Sequence, residues 1–120
     1  MKEFLLLIRT PGNPWETMSP KEAEEHVKKG NAYIGQLIQS GKLKSGQPLD
    51  FQGTIISSAK GALKDGPFNE TKEVIAGYLI LLAKDLAEAI DVAKQNPIFE
   101  DIPGVRIEVR PMKIVEGIND

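Results

Sequence analysis

Cysteine is absent from the 120 residues, and histidine and tryptophan occur once each. Without thiols there is no disulfide framework, thiolate nucleophile or cysteine-held metal. One imidazole does not build a histidine-rich zinc site, so no metal is expected. A surplus of one charge is also missing. Fifteen basic residues face seventeen acidic ones, giving a net charge of −2 with no basic stripe. Nucleic acid needs a concentrated positive face, so no nucleic-acid partner is expected. The longest apolar runs, Phe4 to Ile8 and Leu79 to Ala83, fall far short of a bilayer span. No membrane partner is expected. Lys2-Glu3 is not the basic start of a leader peptide and no small-residue cleavage site follows. The expected location is cytoplasmic. Gly61, Gly66 and Gly77 lack the spacing of a phosphate-binding loop, and no cofactor is expected.

What is present suits one soluble domain over residues 1–120, long enough to bury a core. Phe4 to Ile8 reads as a strand covered on both faces. The proline-rich stretch from Thr10 to Thr17 is a loop. Its Trp15 is either a lid packed on the core edge or an aromatic wall of a ligand pocket. Ser19-Pro20-Lys21-Glu22 is a helix start with a capping box. Ala23, Val27, Gly30, Ile34, Leu37 and Ile38 follow as its buried stripe, and Gly41 ends it. At about 100° per residue His26 and Tyr33 share one flank of that stripe, half buried and within reach of a cleft.

Lys42 to Leu49 is extended, and Thr54 to Ser58 is a strand. Ser58-Ala59-Lys60-Gly61 turns a hairpin that delivers the Asp65 loop to the sheet edge. Asp65-Gly66-Pro67 is expected to turn again. Tyr78 to Ala83 is a second strand covered on both faces. Asp85 caps a helix that buries Leu86, Ala89, Ile90 and Ala93 and stops at Asn96-Pro97. Val105 to Arg110 alternates apolar and charged residues as an outer strand does.

This order predicts an α+β class, the split βαβ or ferredoxin-like arrangement with an extra hairpin. The two all-apolar strands sit centrally. Helices cover one face, so the other needs a cover too. A homodimer supplies it.

The candidate site lies where turn, aromatic and charged groups meet. Its expected ligand-binding residues are Asp65, Phe68, Glu70, Lys72, Glu73, Tyr33 and Arg9. Catalytic candidates are Asp65, Glu70 and His26. A carboxylate base beside Lys72 would take a proton next to a carbonyl, as a lyase, isomerase or dehydrohalogenase does. The function expected first is small-molecule binding in a cleft near this loop; the carboxylate chemistry, a regulatory or partner-binding module, and a purely structural loop of solvated ion pairs are the alternatives.

Asp65-Gly66-Pro67-Phe68, then Glu70-Thr71-Lys72-Glu73 and Gly77-Tyr78, resembles the signature of the YCII-related, or DGPF-domain, family. Gly41-Lys42-Leu43, Gly46 to Leu49, the helix after Asp85, and Glu108-Val109-Arg110-Pro111 extend it over nearly the whole chain. The resemblance implies a dimeric α/β-barrel. In the wider YciI-like group it implies a helix histidine paired with an aspartate just before a proline at the second helix's exit. Here that exit is Asn96-Pro97. Asparagine does not charge-stabilise an imidazolium, so no His–Asp dyad is expected. Only Asp65, Glu70 or Glu73 remain as stand-ins for the missing carboxylate.

Overall fold

The computed structural model describes residues 1–67 and 73–118. The chain runs through β1 (Lys2–Thr10), α1 (Pro20–Gln39), β2 (Leu43–Pro48), β3 (Thr54–Ala59), β4 (Ala62–Pro67), β5 (Val74–Ala83), α2 (Leu86–Lys94), α3 (Ile98–Asp101) and β6 (Arg106–Pro111). A 3-10 turn, Pro14–Glu16, precedes α1.

The two apolar runs become the centre of an antiparallel sheet. β1 pairs with β5, with Leu6 opposite Leu79, and the full strand order is β2-β5-β1-β6. Alternation sends Phe4, Leu6, Leu79, Leu81 and Ala83 to one face. There they pack with Tyr33 and Leu37 of α1 and Ala89, Val92 and Ala93 of α2. On β6 Ile107 and Val109 join the same core, and Arg106, Glu108 and Arg110 take the other face. The sheet of one chain is open and closes no barrel among the described residues.

Both helix starts are capped as their sequences dictate. The Ser19 hydroxyl accepts from the Glu22 amide and the Glu22 carboxylate from the Ser19 amide, each at 3.1 Å. The Asp85 carboxylate accepts from the Glu88 amide at 2.9 Å. α1 closes through Gly41, whose φ of 71° is open to glycine. The Lys42 amide then reaches back to the Leu37 carbonyl at 2.8 Å, satisfying an orphan acceptor of the last turn.

Three expectations need correction. First, the buried stripe of α1 is rotated. Val27 and Ile38 are 46% and 62% exposed, and Tyr33 and Leu37 are the helix's buried residues. The Tyr33 hydroxyl donates to the Val92 carbonyl at 2.7 Å, which turns this face toward α2. Leu86 is likewise exposed, and Val92 takes its place in the core. Second, Asp65-Gly66-Pro67 does not turn. These residues prolong β4, where Asp65 lies opposite Ile56 and Gly66 opposite Ile55. Gly66 is not among the positive-φ glycines. Pairing to β3 satisfies the backbone groups that a turn would have had to satisfy locally. Third, the hairpin does not extend the main sheet. β3 and β4 form a separate two-stranded sheet, and every residue of β3 is exposed. Its tight turn is as expected: Lys60 and Gly61 both have positive φ, the geometry that matches strand twist.

Candidate functional site

The N-terminal half of α1 does not rest on the sheet. Between them lies a cavity of about 460 Å³. Its walls are His26, Gly30 and Tyr33 of α1, Gly46 of β2, and Gly77 and Leu79 of β5. Trp15, Leu49 and Phe51 close it from the flanking loops, and Asn96 stands at one end. The volume is that of a small-molecule site, and the lining is mainly apolar.

His26 is the imidazole of this wall. Its Nδ1 lies 2.8 Å from Asp101 Oδ2, and the two side chains are only 16% and 17% exposed. The partner is placed by local sequence logic. Asn96 Oδ1 accepts from the Ile98 amide at 3.0 Å and starts the single turn of α3. Ile98 and Ile102 then anchor that turn in a second apolar cluster with Val105, against Ile8, Met18 and Ile107. Asp101 sits between those anchors and meets α1. Lys29, one turn beyond His26, donates to Asp101 Oδ1 at 3.0 Å. Both carboxylate oxygens are thus engaged. The expectation that no carboxylate partners His26 is overturned. Asn96 does not replace the aspartate; it bonds the Ile98 amide at the start of the turn that carries one five residues later.

Hydrogen bonding from His26 and then Lys29 holds the Asp101 carboxyl below the usual aspartate range. At neutral pH it is therefore ionised and only accepts. A neutral His26 ring must then carry its proton on Nδ1 and present Nε2 as the basic nitrogen. No partner occupies Nε2 among the described residues, and none of their side-chain nitrogens or oxygens is both buried and unpartnered. Trp15 meets the imidazole edge-on, with ring centroids 5.7 Å apart and planes at 67°. Trp15 lines the cavity, although 45% of the residue stays exposed.

Of the other expected site residues that are described, only Tyr33 lines this cavity. Burial pushes its phenol up to about 12, and its hydroxyl is spent on Val92, so it serves as wall. Arg9 is bound to Glu108 of β6, at 3.1 Å from Nε and 2.9 Å from Nη2. Glu73 accepts two hydrogen bonds from Arg106, at 2.7 and 2.6 Å, and that guanidinium holds its carboxyl below the usual range. Asp65 is exposed on β4 and does not line the cavity. Phe68, Glu70 and Lys72 lie outside the described residues. Asp101 was missed because α3 is a single turn after a proline. The available signal was Ile98 and Ile102 at helical spacing around Glu100-Asp101.

A family model described as the YCII-related domain matches residues 4–113, nearly the whole chain. No curated protein matches it.

The Asp101 contacts make stability depend on acid. A carboxyl with a lowered folded pKa binds fewer protons folded than unfolded, so it stabilises fully above its ordinary value near 3.8. That contribution disappears as pH falls through the lower folded value. Asp101→Asn should therefore lower unfolding free energy by about 1 kcal/mol near neutrality. Urea titrations of both proteins should show the gap closing as pH falls below the ordinary aspartate value. A gap that persists unchanged in acid would contradict the ionised pairing.

Proposed function

We infer that this chain, which belongs to the family of YCII-related domains, binds a small molecule in the cavity beneath α1 and exchanges a proton with it through His26. The observation that carries this reading is the 2.8 Å contact of His26 Nδ1 with Asp101 at the wall of a ligand-sized cavity. The chemistry is general acid–base. Asp101 orients the ring and stabilises the imidazolium, and Nε2 takes a proton from the bound molecule and returns it. Proton removal beside a carbonyl, leading to isomerisation or elimination, fits such a base. The carboxylate chemistry expected around Asp65 and Glu73 has less support, because Glu73 is engaged by Arg106 and Asp65 stands on an exposed strand.

The test is exchange of α-protons in D₂O, followed by proton NMR on a panel of cyclic carbonyl compounds. The wild-type chain should exceed free imidazole. His26→Gln should lose at least about a hundredfold while still folded and melting cooperatively well above the assay temperature. Rates equal to imidazole, or equal in the variant, would contradict the reading.

The same account includes a ferredoxin-like fold that dimerises into an α/β-barrel. The strand order β2-β5-β1-β6 supports it, as do α1 and α2 packing on the same sheet face. So does the opposite face. Leu5, Leu7, Ile80 and Leu82 point there by alternation, half-buried, and α1 and α2 pack on the other face. The Arg9–Glu108 and Lys44–Glu3 pairs border that strip. Light scattering at micromolar concentration should return twice the chain mass of 13.2 kDa. A monomer would contradict the dimer.

A further inference from the structure

α1 carries two interior glycines, Gly30 and Gly35. Glycine weakens a helix interior relative to alanine. Neither glycine is demanded by the backbone. Both lack positive φ, and a Cβ added at either would meet no atom within 4 Å. The open space differs between them. Gly35 faces solvent. Gly30 is half-buried, lines the cavity, and follows His26 by four residues on the same helical face. Trp15, Ile34, Leu49, Phe51 and Leu79 line the same cavity. Among the described lining residues there is no lysine, arginine, aspartate or glutamate.

We propose that Gly30 determines which ligands fit. Its missing side chain keeps open the part of the cavity that receives the apolar ring body of a small molecule, while the ligand's one hydrogen-bonding group meets His26 Nε2. This rests on the reading of the cavity as a binding site and adds the class and size limit of what enters. Helix stability is sacrificed at position 30 for space, which is the trade expected of a binding residue and not of a packing one.

Two probes test it. N-phenyl-1-naphthylamine has a large apolar body and one N–H, and its fluorescence can be excited by transfer from Trp15, the sole tryptophan. Phenol is a small probe, followed by the shift of the single histidine's imidazole protons. The wild-type chain should bind both. Gly30→Ala should raise the melting temperature by a few degrees and weaken the naphthylamine severalfold. Gly30→Leu should weaken it at least about tenfold and retain phenol. Gly35→Ala should raise the melting temperature and leave both affinities unchanged.

Equal naphthylamine affinity in wild type and Gly30→Leu would overturn the role of Gly30. So would a loss of both probes in Gly30→Leu at an intact melt, or a loss in Gly35→Ala matching that in Gly30→Ala. Failure of the wild-type chain to bind either probe would instead overturn the binding-site reading beneath it.

Discussion

Antiparallel pairing of β1 with β5 is the constraint on which the other elements depend. Both strands carry continuous apolar runs, Phe4 to Ile8 and Leu79 to Ala83, so both sheet faces demand cover there. α1 and α2 cover one face, but unevenly. Tyr33 and Leu37 seat the C-terminal half of α1 on Leu79 and Leu81. Toward the other half Gly30 offers no side chain and open space lies before it, whereas Gly46 and Gly77 are glycines because a Cβ there would press on Leu79 and on Gln47 and Pro48 of the neighbouring strand. Interiors normally fill such space with side chains. Here Gly30 leaves that space open on the helix side of the cavity.

That cavity gains chemistry from its neighbour α3. A one-turn helix has little stability of its own. Its position comes from the two isoleucines that bury on either side of Asp101. The carboxylate thus arrives at α1 on an apolar mount, where two cationic or proton-bearing groups one turn apart receive it. The outcome is an imidazole with one nitrogen committed to an acceptor and the other left for a ligand. Lys29 shares the load, since its ammonium is engaged by the same carboxylate and its own proton is held more tightly as a result.

The sequence made the scaffold legible because period and caps agree. Phe4 to Ile8 and Tyr78 to Ala83 are too apolar for any place but the centre, and Ser19 with Glu22 and Asp85 with Glu88 mark helix starts by local bonding alone. His26, Tyr33 and Trp15 were found near a cleft by face and composition. What was not legible depended on rotation and on distance along the chain. The tilt that buries Tyr33 and exposes Val27 is set by Val92, far away in sequence. Asp65-Gly66-Pro67 has turn chemistry, yet pairing with Thr54 to Ile56 overrides it. Asn96 looked like a lost carboxylate because the comparison stopped at the proline, whereas the carboxylate that reaches His26 comes one turn later.

The central claim is that Asp101 fixes the tautomer of His26, and nitrogen NMR of the lone histidine reads it directly. In ¹⁵N-labelled protein held above the imidazolium titration, Nδ1 should show the shift of a protonated nitrogen. Nε2 should show that of a bare, basic one. Asp101→Asn should release this preference toward the mixture of free histidine. An Nε2-protonated ring in the wild-type chain, or a tautomer indifferent to Asp101→Asn, would contradict the account.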